Sequence, residues 1–99
     1  GLDIVSTMGN PVVAPADGSV LQAVSRGGPL GNYVVLNHGG GLTTLYGHLS
    51  KIGVRSGQKV SRGDLIGNVG STGKSIGPHL HYEVRMNGKP VNPYTYILE

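Results

Sequence analysis

The chain contains no cysteine, no tryptophan and no phenylalanine among its 99 residues, and only 13% of those residues are charged. Without cysteine there is no disulfide framework, no thiolate metal site and no thiol nucleophile, and the redox compartment leaves no mark on the sequence. No apolar run approaches the roughly 20 residues that a membrane-crossing helix needs, so no membrane span is expected in this chain. A leader for export is expected upstream of this segment, because Gly1 does not read as a natural start. The eight Lys and Arg residues stand singly and give a formal net charge of +3. That pattern lacks the dense basic stripe of a nucleic-acid binder, so no nucleic-acid partner is expected. Alanine, leucine and glutamate are too sparse for a helical protein.

Glycine is what the chain has in quantity. Its 18 glycines and 6 prolines are spread along the whole length, which implies tight turns between short strands rather than a linker. We therefore expect an all-β fold, and a length of 99 residues implies one domain over residues 1–99.

Val12-Val13-Ala14 and Val20 to Val24 read as a hairpin around Asp17-Gly18. Arg26 to Gly31 is a glycine-rich loop. Tyr33 to Asn37 and Leu42 to Leu49 form a second hairpin around Gly39-Gly40-Gly41. Between Val54 and Gly70, single apolar anchors (Val54, Val60, Leu65, Ile66, Val69) alternate with small turns. A loop from Ser71 to Pro78 leads into a strand from His79 to Arg85, Asn87-Gly88 signals a type I′ turn, and one irregular or helical turn is expected from Pro93 onward. The units Pro11–Val20 and Gly57–Val69 resemble one another, which predicts duplicated, barrel-sandwich-like half units.

Residues two apart on a strand share a face. His79, His81, Glu83 and Arg85 therefore line one side of their strand, and Leu80, Tyr82, Val84 and Met86 line the other. The second set is a core stripe. The first is wholly polar, with two imidazoles placed so that one can hold a metal while the other works beside it, although a solvated strand face accounts for a bare His-x-His pair equally well. Further ligands would come from Asp3 or His48. Thr44, Tyr46 and His48 are expected on one polar face of their strand, opposite Leu45 and Leu49. His38 reads as a histidine satisfied by turn backbone, and Asp17 and Asp64 as turn residues. Gly70 to Ser75 has the wrong spacing for a phosphate loop, since Asn68 stands where the first glycine should be and no helix follows.

The sequence resembles the lysostaphin/LytM-type zinc endopeptidases over nearly its whole length. The resemblance is carried by Gly1-Leu2-Asp3, by Pro11 to Gly18, by Gly31 to Val35, by Thr44 to Ser50, and above all by Gly70-Ser71-Thr72-Gly73 with Gly77-Pro78-His79-Leu80-His81-Tyr82-Glu83. It implies a mainly antiparallel sheet whose polar face floors an open groove. It implies Zn2+ held by Asp3 and His81, with His48 and His79 catalytic, and a third protein ligand, a histidine, upstream of Gly1. Tyr46 and Asn32 are candidates to line the groove. The implied activity is cleavage of the peptide cross-links of bacterial peptidoglycan by an exported enzyme of the periplasm or cell envelope. The alternative is a non-catalytic LytM-like domain that binds wall or activates a partner hydrolase. The same β-units are similar to biotinyl or lipoyl carrier domains, but no lysine here occupies the hairpin tip that such carriers use.

Overall fold

The computed structural model describes residues 2–92; Gly1 and the turn expected from Pro93 onward lie outside them. Nine strands form one sheet that is antiparallel at every pairing: β1 (Leu2–Val5), β2 (Pro11–Val13), β3 (Gly18–Val24), β4 (Asn32–Asn37), β5 (Leu42–Ile52), β6 (Lys59–Val60), β7 (Leu65–Val69), β8 (His79–Met86) and β9 (Lys89–Val91). The main path runs β1-β8-β5-β4-β3-β6. β5 is long enough to pair with β8 through its first half and with β7 through its second. β2 joins β7, and β9 shares an edge of β8 with β1. The only helix among the described residues is a single 3₁₀ turn, Gly28–Leu30.

The β4–β5 hairpin forms as the sequence predicts, with Gly39, Gly40 and Gly41 all at positive φ. So does the β8–β9 hairpin, where Asn87 (φ 52°) and Gly88 (φ 80°) supply the two left-handed residues of a type I′ turn. The expected hairpin around Asp17-Gly18 does not form. β2 pairs with β7, whereas β3 pairs with β4 and β6. Gly18 is not needed for a turn, since its φ is not positive; it is needed because a Cβ there would stand 2.5 Å from the carbonyl oxygen of Asn37. Asp17 instead caps the neighbouring unit, its Oδ1 accepting from the Arg62 amide at 2.8 Å.

The two similar units pair with each other. Pro11 to Val13 runs against Leu65 to Asn68, and Gly18-Ser19 runs against Lys59-Val60. The intervening turns are stitched by Ala14 N–H to Asp64 O at 2.9 Å and Gly63 N–H to Ala14 O at 2.8 Å. Each contributes its anchors to one core: Val12, Ala14 and Val20 from the first, Val60, Ile66 and Val69 from the second, packed with Val34, Leu36, Tyr46 and Leu49. Leu80 and Tyr82 pack against this cluster and Val84 is buried, so the apolar stripe of β8 faces inward as expected. His38 bridges the layers without joining the groove. Its Nδ1–H donates to the Asp17 carbonyl at 2.9 Å, and its Nε2 accepts from the Thr44 hydroxyl at 2.7 Å, which in turn accepts from the Tyr46 hydroxyl at 2.7 Å.

Two loops, 26–31 and 71–77, lean on each other to build one wall above the opposite face of the sheet. Gly31 (φ 64°) and Gly73 (φ 73°) lie back to back, and a Cβ on either would collide with the other loop's backbone. Lys74 N–H reaches Pro29 O at 2.8 Å, and the Thr72 hydroxyl donates to Leu49 O at 2.7 Å while accepting from Asn32 N–H at 3.1 Å. These contacts make specific demands on glycine. Gly18→Ala and Gly31→Ala are each expected to lower stability by about 1–3 kcal/mol through overpacking. Gly77 has open space at its Cβ and no positive φ, so Gly77→Ala should stay within about 0.5 kcal/mol of the parent. Urea unfolding midpoints of the three variants check this ordering.

Candidate active site

The polar face of β8 forms the floor of the groove. β1 runs antiparallel to it with Asp3 directly opposite His81, and β5 places Gly47 opposite His81 on the other side. Gly47 leaves room for the ring: a Cβ there would stand 3.3 Å from the His81 Cβ and 3.0 Å from a methyl of Leu30. Asp3 Oδ1 lies 2.8 Å from His81 Nδ1 and 3.7 Å from His79 Nε2. His48 completes the cluster, its ring centroid 4.6 Å from that of His79 and 6.0 Å from that of His81. Residues 3, 48, 79 and 81 are thus brought together on one face.

His48 arrives there by a route that alternation does not predict. Thr44 and Tyr46 do share a face, but it is the core face, where they are 1% and 2% exposed. Strict alternation would place His48 on that core face beside them. Instead His48 takes a left-handed backbone (φ 61°), and the β5 register against β7 shifts between Leu49 and Lys51. A non-glycine residue held at positive φ costs of order 1–3 kcal/mol, and such strain collects at functional sites. The bulge turns the ring out of the core, where its Nδ1 meets the Thr72 carbonyl at 2.7 Å. Tyr46 therefore does not line the groove. Asn32 lies in its wall as a brace, its side-chain amide donating to Leu49 O at 2.9 Å and its Oδ1 accepting from Arg26 N–H at 3.0 Å.

The protonation pattern follows from the partners. A backbone carbonyl only accepts, so His48 Nδ1 carries a proton. His79 is tied in the same way, with Nδ1 2.9 Å from Gly77 O and 3.1 Å from Ser75 Oγ. His81 differs, with a carboxylate at each nitrogen: Nε2 lies 2.8 Å from Glu83 Oε1 and Nδ1 2.8 Å from Asp3 Oδ1. Burial is the largest single influence on His81 and disfavours its charge, but hydrogen bonds to Glu83 and Asp3, with their negative charges, together raise its pKa above the ordinary histidine value. The hydrogen bond from His81 is the main reason that the Asp3 carboxyl is held below its ordinary value. Burial pushes Glu83 upward, yet hydrogen bonds from His81 and Arg85 and the nearby guanidinium leave it lowered overall.

Asp3 Oδ1 and His81 Nδ1 converge at a distance that a shared proton holds. An imidazole nitrogen beside a carboxylate oxygen is also the donor set that zinc takes. The Asp3 side chain is 66% exposed, so it is free to move the few tenths of an ångström that exchanging a proton for an ion requires. The pair thus fits two positions of a zinc site, and among the described residues no group of three such donors converges. Sequence reasoning gave no role to Glu83, Arg85, Thr72 or Ser75. The first two were marked by sharing a face with the histidines; the contact of Thr72 with His48, 24 residues away, carried no local signal.

Two clefts flank the cluster on this face. One, of about 410 Å³, runs past Arg85, Leu45, Tyr33 and Leu30; the other, also about 410 Å³, is walled by Val5, Ile76 and Pro78 beside Asp3 and His79. A separate apolar hollow of about 270 Å³, lined by Ile4, Pro11, Tyr46, Leu80 and Tyr82, opens on the opposite face and touches none of the histidines.

Comparison with known proteins assigns the arrangement to a family. The chain matches Peptidase family M23 over residues 1–93. It is 50% identical over 98 residues to the DD-carboxypeptidase/endopeptidase Mpg of Neisseria meningitidis serogroup B, covering 99% of this chain and 22% of that protein. It is 52% identical over 93 residues to the peptidoglycan DD-endopeptidase ShyA of Vibrio cholerae, covering 93% of this chain and 21% of the relative. The chain thus spans about a fifth of the length of these relatives. Among solved structures it superposes on a zinc-containing peptidase from Vibrio cholerae with a TM-score of 0.91 at 39% identity, covering 100% of this chain and 30% of the other. The catalytic domain of lysostaphin from Staphylococcus simulans gives 0.88 at 34% identity, covering 100% of this chain and 78% of the other. By sequence, by fold and by the polar cluster on β8, this chain belongs to Peptidase family M23.

Proposed function

We propose that this chain supplies the catalytic portion of a zinc-dependent endopeptidase that cleaves the peptide cross-links of bacterial peptidoglycan. The observation that carries the reading is the grouping of the rings: His48 and His79 are both anchored through Nδ1, His79 Nε2 lies 3.7 Å from the Asp3 oxygen that meets His81, and the His48 ring packs beside both histidines. Asp3 and His81 are the protein donors for zinc. A catalytic zinc usually has three protein ligands, and the third is a histidine placed upstream of Gly1 in a longer polypeptide. When bound, zinc supplies Lewis acidity that polarises the scissile carbonyl and lowers the pKa of water.

The chain's own residues do the rest. A bare Nε2 is a general base, so one histidine of the His48–His79 pair takes the proton of the attacking water and later returns it to the leaving amine. The other, once protonated, donates to the oxygen on which negative charge develops. The Thr72 and Gly77 carbonyls hold both rings in the tautomer that this work requires. The open clefts on either side admit an extended peptide across β8 and β5. The names of the Mpg and ShyA relatives, at 50% and 52% identity, favour a D,D cross-link over the substrate of lysostaphin, at 34%. Such a substrate places the enzyme in the cell envelope, outside the cytoplasm. The presence of all four expected side chains on one face of the sheet favours the catalytic reading over the non-catalytic alternative.

Incubation with zinc and purified cross-linked peptidoglycan fragments should convert dimers into monomers, and a chelator should stop this. His79→Ala should lower the rate by about 10²–10⁴-fold, the usual contribution of a general acid–base group, while zinc stays bound. Undiminished cleavage by that variant would overturn the assignment. Zinc titration of this chain against one extended upstream should show much tighter binding by the longer form; equal, weak binding by both would remove the upstream histidine from the scheme.

A further inference from the structure

Three residues other than glycine take a positive φ among the described residues: Arg26, His48 and Asn87. Asn87 serves the type I′ turn, and His48 is turned out of the core toward the groove. Arg26, at φ 57°, has neither reason. A left-handed arginine carries backbone strain that glycine would not, and glycines already stand at the next two positions. Strain of this kind collects at functional sites. Arg26 borders a cleft of about 390 Å³ where the 26–31 and 71–77 loops meet, lined also by Gly28, Gly31, Asn32, Thr72 and Gly73. The Thr72 hydroxyl and both ends of the Asn32 amide are already engaged within the wall. The carboxylates of the described residues are engaged too: Asp3 and Glu83 meet His81, while Asp17 and Asp64 accept from turn amides. None of them pairs with Arg26. The cleft thus presents an exposed guanidinium, permanently protonated, with its donors unused. Thr72 joins it to the catalytic cluster, since its carbonyl stands 2.7 Å from His48 Nδ1.

We infer that this cleft is a subsite for a free carboxylate of the substrate peptide, received by the Arg26 guanidinium beside the His48 end of the groove. The inference rests on the peptidoglycan function proposed above. Cross-link peptides carry free carboxylates close to their amide bonds, and a planar guanidinium takes a carboxylate through two parallel hydrogen bonds. The backbone is set for this before any peptide arrives. Gly31 and Gly73 hold the two loops back to back, and the Arg26 amide donates to Asn32 Oδ1 at 3.0 Å, so little ordering is left for binding to impose. The other two clefts on this face are less suited to an anion. No lysine or arginine lines the one at Val5 and Ile76, and Arg85 in the other is taken by Glu83. A plain turn residue would account for the exposure of Arg26 but not for its conformation, which glycine adopts without strain.

Arg26→Gly separates those two cases, because it removes the guanidinium and the strain together. Its thermal midpoint should be no lower than the parent's, while peptide binding falls. The probe is the tetrapeptide Ala-γ-Glu-diaminopimelate-Ala with the stereochemistry of the wall, compared with forms amidated at one carboxylate at a time. Binding is followed through backbone amide shifts of the metal-free chain. The free acid should move the amides of residues 26–32 and 72–73. It should bind Arg26→Gly and Arg26→Gln about 3–10-fold more weakly than the parent, less so at high salt, as befits an exposed pair. Amidating one of the carboxylates should weaken binding to the parent by the same factor and leave both variants unaffected. Arg26→Lys should recover part of the loss. Equal affinity of parent and Arg26→Gly for the free acid, or an equal loss on amidation in both, overturns the inference, as does a parent that binds no form of the peptide. Cleavage by the zinc-loaded, upstream-extended form is read separately. Arg26-dependent binding without cleavage removes the proposed reaction and leaves the carboxylate subsite; cleavage indifferent to Arg26 and to amidation does the reverse.

Discussion

An imidazole has two nitrogens, and tying one of them down decides what the other can do. In this groove one nitrogen of each ring is held by an oxygen that accepts a hydrogen bond: Thr72 O for His48, Gly77 O for His79 and Glu83 Oε1 for His81. The first two rings are held by Nδ1, whereas the third has Glu83 behind its Nε2 and Asp3 at its Nδ1. His79 and His81 therefore stand side by side on one strand face and offer opposite nitrogens to the space beside Asp3. In the proposed function, that difference is what separates the ring that moves protons from the ring that holds a cation, although the two side chains are identical in composition.

Much of the fold serves to keep those acceptors still. The Thr72 and Gly77 carbonyls belong to a loop, and loops on a small β-domain are normally its least constrained parts. Here the loop is pressed against the 26–31 loop through two glycines without side chains to separate them, and the Thr72 hydroxyl fastens it to Leu49 of β5. The same Leu49 lies in the core. His48, next to it, carries the backbone strain of its positive φ because the core on one side and the Thr72 carbonyl on the other leave the chain only that course. Packing, strain and tautomer are thus linked through a single stretch of β5.

What could be read directly was local. The β4–β5 and β8–β9 hairpins depend on turn residues and on strands adjacent in the chain, and the polar and apolar faces of β8 depend on a period of two. The hairpin around Asp17-Gly18 was misleading because partners of β2 and β3 lie elsewhere: β7 and β6 are some 40–57 residues downstream, as Pro11↔Asn68 and Gly18↔Val60 show. The two similar units were legible as a repeat, while their pairing with each other was not. Tyr46 looked like a polar-face residue because hydroxyl groups are polar. In the fold its ring fills core volume and its hydroxyl is satisfied by Thr44.

The sequence by itself determined the chemistry available on β8: two histidines, a glutamate and an arginine on one face, since side-chain alternation is a property of any strand. It also determined the family resemblance, because the residues of the His-x-His block and its flanking glycines are written consecutively. Only the tertiary structure decided that Asp3 faces His81, that His48 leaves the core through a left-handed bulge, and that His81 has a carboxylate at each nitrogen. Each of those depends on contacts between residues distant in the chain or on a backbone angle that the local sequence does not require. The strand could be recognised from its letters, but which nitrogen each ring presents was settled by what the fold brought up behind it.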